Sequence, residues 1–184
     1  TTELFEVRSY PDRHSVELCA GLKNVDSLAV GFLEEEGAYV KASAMRNGLL
    51  EIRKIIGDGA ARSSEELNNL MMESCGVGDL ILTCNNGRGK ELAKSFIAER
   101  ASACAGTVRV ANNEEESIKK WRMLEDQVFN GMKLPDWENT RIVGQFVEGR
   151  EEEFPLFHAT YRVAFLGGDV TLLIDALRKK KRCA

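Results

Sequence analysis

From Ser15 to the end of the chain, apolar residues recur at steps of three and four, and only three prolines interrupt 184 residues. That spacing puts one apolar stripe on each of a series of helices, and such stripes are satisfied only by packing on one another. Cys19, Leu22, Val25, Ala29 and Phe32 form the first stripe. Ala42, Met45, Leu49, Ile52 and Ile56 repeat it over residues 41–56, where Gly57-Asp58-Gly59 ends the helix. Ser63 or Ser64, followed by Glu65 and Glu66, starts a helix bearing Leu67, Leu70 and Met71. A short helix over residues 90–99 rests on Leu92 and Phe96, and the small, polar stretch 101–113 reads as a loop. Asn113 with three glutamates caps a helix carrying Ile118, Trp121, Leu124 and Val128, which Asn130-Gly131 closes. Pro135-Asp136 opens another with Trp137, Ile142 and Phe146, and the last two span 157–165 and 169–179. The expected fold class is all-α, a multi-helix bundle of roughly seven or eight helices.

One segment breaks the pattern. Residues 4–10, Leu-Phe-Glu-Val-Arg-Ser-Tyr, alternate in the period of a strand and stop at Pro11-Asp12. A lone strand leaves its ladder groups unpaired, so it pairs with another copy or belongs to a sheet outside this chain. The charge balance of -4 gives no basic face for nucleic acid, and no apolar run reaches the ~20 residues of a membrane span. Cys19, Cys75, Cys84, Cys104 and Cys183 have no zinc or redox spacing, and with only His14 and His158 beside them no metal site is expected. Reduced thiols place the chain in the cytoplasm by default, with a plastid or other organelle left open. The basic end, Lys179 to Arg182, suits the negative end of a helix better than a targeting signal.

Residues 73–89, ESCGVGDLILTCNNGRG, depart from the helical pattern. Leu80-Ile81-Leu82 is expected to be buried, and residues 85–89 to form a permissive loop running into the helix at Lys90. Such a loop offers backbone N–H groups and a positive helix end to an anion, and Arg88 adds a fork that grips phosphate. The same residues also suit a plain turn with a solvated arginine. Lys23-Asn24 in the first helix is similarly open: a lysine at the edge of a stripe is ordinarily a surface residue, and matters only if something acidic or reactive faces it. No Gly-rich dinucleotide fingerprint occurs.

Several blocks, in order, resemble NAD-dependent glycerol-3-phosphate dehydrogenase of the eukaryotic type. They are residues 16–25 (VELCAGLKNV), 41–49 (KASAMRNGL), 73–81 (ESCGVGDLI) with Thr83-Cys84, 130–134 (NGMKL) and 154–157 (FPLF). The resemblance covers nearly the whole chain and implies the helical substrate domain of that family, a bundle like the C-terminal part of 6-phosphogluconate dehydrogenase. It implies catalytic roles for Lys23, beside the substrate carbonyl, and for Asp79. Asn24, Thr83, Gly87 and Arg88 would line the substrate pocket, with Arg88 on the phosphate. Arg88, Gly89 and Met132 would reach the cofactor, NAD, bound mainly by a domain absent from this chain. Residues 1–14 would then be strand and linker left from that nucleotide-binding domain, and 15–184 the substrate domain. The implied partners are a phosphorylated three-carbon substrate, the nucleotide-binding half and a second copy in a homodimer.

The chain departs from the family pattern at Gly89, where Asn is usual, and at Met132, where Gln is usual. Gly89 is expected to leave open space beside Arg88, and Met132 cannot donate to a pyrophosphate. Either the enzyme has diverged in its cofactor contacts, or this is a degenerate homologue kept as a scaffold.

Overall fold

The computed structural model describes residues 9–59, 63–104 and 113–179. Among them the elements are nine α-helices and one π-helical turn, with no strand. The strand expected at 4–10 falls mostly outside the described residues, and Ser9 and Tyr10 have no regular structure.

Helix α1 (Arg13–Phe32) is the axis of the bundle. Its N-terminus is capped by Asp12, whose side chain accepts from Ser15 N, and its second half is buried on every side from Asn24 to Phe32. A helix buried all round needs neighbours all round, and α1 packs on α2 (Ala38–Asp58), α4 (Asp79–Asn86), α5 (Arg88–Cys104) and α7 (Pro135–Phe146). The α1–α5 crossing is close at Gly31, where a Cβ would stand 2.5 Å from the Lys90 carbonyl oxygen.

Local signals set most helix starts. Ser63 and Glu66 form a complete capping box for α3 (Ser64–Met72), and Asn113 caps α6 (Glu114–Phe129) through Glu116 N. Proline takes the first position of α7 and of α8 (Pro155–Phe165), and α9 (Thr171–Lys179) follows. Helix α6 ends on left-handed Asn130 (φ 52°) and Gly131 (φ 78°), the turn that sends the chain back toward α1. One apolar cluster centres on stacked Phe96 and Trp121, 4.1 Å between ring centroids. A second gathers Leu22, Ile52, Leu70, Val147 and Phe157.

Three expectations need correction. Residues 73–89 are almost wholly helical: a π-turn over Ser74–Gly78 runs into α4, and only Gly87 separates α4 from α5. Of the three apolar residues in α4, only Leu80 is buried, while Ile81 and Leu82 are 49% and 61% exposed. The short helix expected at 90–99 starts two residues earlier and continues to Cys104, through the first part of the stretch read as a loop, because alanines there favour helix. Residues 105–112 lie outside the described residues.

Candidate functional site

Lys23 lies midway along α1, where the helix passes from half-buried to buried. Its Nζ donates to Asp79 Oδ2 across 56 positions of sequence, with the side chains 17% and 34% exposed. Asp79 is the first residue of α4, where the positive helix end suits a carboxylate. The π-turn ahead of it brings it there: Gly76 takes a non-helical φ/ψ and packs where a Cβ would meet the Met71 carbonyl at 2.4 Å, so a side chain would block the turn. Thr83, one turn on, donates from Oγ1 to Asp79 Oδ1 at 3.4 Å. Asp79 therefore accepts one bond on each oxygen, and the ammonium is held in place.

Asn24 is buried, and its amide donates to Ala20 O at 3.3 Å within its own helix. Gly87 closes α4, its N–H donating to Thr83 O at 2.8 Å, and a Cβ there would meet that same carbonyl oxygen at 2.2 Å. Arg88 and Gly89 are the first residues of α5, so the N–H groups expected from a loop come instead from a helix N-terminus of 17 residues. Arg88 rests a guanidinium nitrogen against Met132 Sδ, which places those two together at the rim. Met132 is 48% exposed.

The space expected beside Gly89 is filled. A Cβ at 89 would lie 1.7 Å from Asp136 Oδ1 and 2.9 Å from Ser27 Oγ. Asp136, from the first turn of α7, is 5% exposed, and its carboxyl thus takes the room of the missing side chain. Burial pushes that carboxyl up to about 6, while its own backbone N–H, Ser27 and the cations of Arg88 and Lys23 pull it back. Both cations consequently lie around one buried acid. Ser27 Oγ is fully buried with no partner in good hydrogen-bond geometry, although its dipole acts on Asp136.

Sequence reasoning missed four buried acids. Asp26 is fully buried on α1, with neither carboxylate oxygen hydrogen-bonded, and burial together with the Glu51 charge raises it well above the usual carboxylate range. Asp136 read as an ordinary first-turn acid. Glu51 accepts from Leu156 N at 3.1 Å and Phe157 N at 2.9 Å, capping α8. Glu125 accepts from Leu134 N at 2.7 Å and Trp137 Nε1 at 3.0 Å, and so fixes the 130–134 turn that carries Met132. The available signal was an acid set directly beside stripe positions: Asp26 after Val25, Glu51 before Ile52 and Glu125 after Leu124.

Burial also raises the thiols of Cys84 and Cys19, the latter to about 12, so neither is an activated nucleophile. Two hollows lie elsewhere, about 440 Å³ between α8 and α9 near His158 and about 460 Å³ between α1 and α5 near Phe32. Neither includes the Lys23–Asp79 pair. Among the described residues no helix is long and apolar enough to cross a membrane.

The pattern of the NAD-dependent glycerol-3-phosphate dehydrogenase C-terminus matches residues 12–175. The cytoplasmic NAD(+) glycerol-3-phosphate dehydrogenase of Homo sapiens is 31% identical over 96% of this chain and 46% of its own length. The glycerol-3-phosphate dehydrogenase 1-like protein of Mus musculus gives the same figures. This chain thus spans about half the length of these relatives. A solved glycerol-3-phosphate dehydrogenase of Dunaliella salina superposes with a TM-score of 0.76 at 28% identity, covering 98% of this chain and 28% of that one. That of Plasmodium falciparum shares the fold, with a TM-score of 0.74 at 24% identity over 96% of this chain and 45% of that one.

Proposed function

Because the chain belongs to the family of NAD-dependent glycerol-3-phosphate dehydrogenase C-terminal domains, we propose that it is the substrate-binding and catalytic half of such an enzyme, interconverting dihydroxyacetone phosphate and sn-glycerol 3-phosphate. The observation that carries this reading is the joining of Lys23, Asp79 and Thr83 from two helices, with Arg88 at the start of a third.

Reduction of the ketone places negative charge on its oxygen. The Lys23 ammonium, aimed by Asp79 and Thr83, stabilises that charge by hydrogen bonding and delivers the proton. Arg88 and the N-terminal N–H groups of α5 bind the phosphate, which fixes the carbonyl carbon one short carbon chain away from the lysine. NAD(H), when bound, supplies or accepts the hydride. The residues at the rim fit one part of that cofactor: Arg88 can hold an anionic group, while Met132 and Gly89 offer no side-chain donor. In this reading the rest of the dinucleotide site lies outside residues 15–184. A scaffold role, the other reading of Gly89 and Met132, leaves the hydrogen-bonded Lys23–Asp79–Thr83 set without a purpose.

The chain itself provides the first test. Titration with glycerol 3-phosphate should shift the amides of residues 23, 79, 83 and 88–90, glycerol should not, and Arg88→Ala should weaken the ester at least about tenfold. Equal binding of ester and glycerol would sink the assignment. In a chain that includes a nucleotide-binding half, Lys23→Ala should cost about 10²–10⁴ in kcat, the range for a lost acid–base group. Arg88→Ala there should act mainly on KM for the phosphate ester.

A further inference from the structure

Helix α1 and the segment that carries Asp79 run side by side, and the Lys23–Asp79 bond fixes their register. Cys19 stands four residues before Lys23, one turn back on the same face of α1, and Cys75 stands four residues before Asp79, inside the π-turn. Packing follows that register at both ends. Cys75 packs against the cluster that holds Cys19 and Leu22, whereas Leu80 and Cys84 join the cluster of Leu28, Ala29 and Leu33. The two segments are therefore parallel, and Cys19 and Cys75 form the rung directly below Lys23 and Asp79. Both are free thiols, within hydrogen-bond reach of each other. Neither has a part in the proposed reaction.

We propose that Cys19 and Cys75 are a modification site: a dithiol that closes reversibly to a disulfide and ties α1 to the π-turn beneath the Lys23–Asp79 pair. Their exposures divide the chemistry between them. Cys19 is 1% exposed, and desolvation keeps it a thiol, so it does not begin the reaction. Cys75 is half-buried and can be reached from solvent. With a low-molecular-weight disulfide as oxidant, the Cys75 thiolate attacks one of its sulfurs, which breaks that S–S bond and expels one small thiolate. The Cys19 sulfur, its proton passing to solvent, then attacks the Cys75 sulfur of the mixed disulfide and expels the second small thiolate. Two protein thiols thus lose two electrons and two protons, and one small disulfide becomes two thiols. The second step is the slower one, because its nucleophile is the buried thiol. Cys84 does not compete, being fully buried and packed in the other cluster. The link constrains the same turn that brings Asp79 to Lys23.

The test incubates the 184-residue chain with oxidised glutathione, blocks the remaining thiols and maps tryptic fragments by mass. Cleavage after Lys and Arg puts Cys19 in fragment 14–23, Cys75 with Cys84 in 63–88, Cys104 in 101–109 and Cys183 in 183–184. Fragments 14–23 and 63–88 should appear joined, with the loss of two hydrogens. A glutathione adduct on 63–88 should precede the link, and dithiothreitol should reverse both. Breaking the joined peptide between residues 75 and 84 in the mass spectrometer should place the link at Cys75. Cys84→Ser should retain the link and Cys75→Ser should abolish it. If Cys75→Ser does not fold, the peptide breakage in the natural chain decides alone. An adduct that never resolves, a link through Cys84, Cys104 or Cys183, or no oxidation at all would overturn the proposal. Each of these outcomes leaves the phosphate-ester titration, and with it the reading of Lys23, Asp79 and Arg88, untouched.

Discussion

Glu51 and Glu125 are buried as deeply as Asp26, but their surroundings differ in kind. Glu51 accepts two backbone N–H bonds from the start of α8, and Glu125 accepts from Leu134 N, the Trp137 indole and the Lys133 ammonium. Asp26 accepts none, and Asp136 has a serine, its own N–H and two nearby cations. The glutamates lie where a helix or turn would otherwise bury bare donors, so they hold the fold together. The aspartates lie on or next to α1 at the level of the proposed site, where the fold gains nothing from them. Buried acids that stabilise and buried acids that cost stability thus coexist within one bundle, separated by whether N–H donors of another helix or turn converge on them.

The sharpest way to break this contrast is Glu125→Ala. It leaves the Leu134 N–H and the Trp137 indole N–H unpaired in the core and should cost about 3 kcal/mol or more in urea unfolding. A loss below about 1 kcal/mol would erase the distinction. Asp136 comes next, through pH. The folded state holds its proton up to about pH 6 and the unfolded chain only to about 3.8, so this group makes stability fall as pH rises between those values and then level off. Asp136→Asn should remove that segment of the stability–pH curve, on the order of 2–3 kcal/mol across the window. Asp26 has the same sign, since burial and the Glu51 charge also raise its carboxyl. Asp26→Val should remove that decline and stabilise the protein by about 1–2 kcal/mol at pH 7, seen as a higher urea midpoint with an unchanged slope. Lys119→Ala is the control. Its partner Glu115 is an exposed i,i+4 neighbour at 2.7 Å, and the melting temperature should not move.

How legible each feature was depended on how far its cause lay along the chain. Ser63 with Glu66, Asn113, Pro135 and Asn130-Gly131 announced helix ends because each cap is made within a few residues. Lys23 and Asp79 were singled out by the motif blocks around them. On spacing alone Lys23 was indistinguishable from a solvated lysine, since its partner is 56 positions away. The 85–89 stretch was read as a loop because Asn-Asn-Gly suggests a turn. Packing of Leu80 and Cys84 on α1 instead carries the helix through Asn86 and confines the break to Gly87.

By itself the sequence determined the class of the fold, the helix ends made by local caps, and the family to which the blocks of α1 and the 73–84 region belong. All of these follow from contacts within a turn or two, where the order of residues is the geometry. The tertiary structure decided what the acids do. Asp26, Glu51, Glu125 and Asp136 are alike as letters, and each sits beside an apolar stripe. Whether N–H donors, cations or nothing meets a buried carboxylate is fixed by helices brought together from distant parts of the chain. Gly89 shows the same thing: it looked like a vacancy until α7, 47 positions later, placed Asp136 over it. Desolvation makes such encounters matter, because a charge taken from water must be answered by whatever the fold has put in its place.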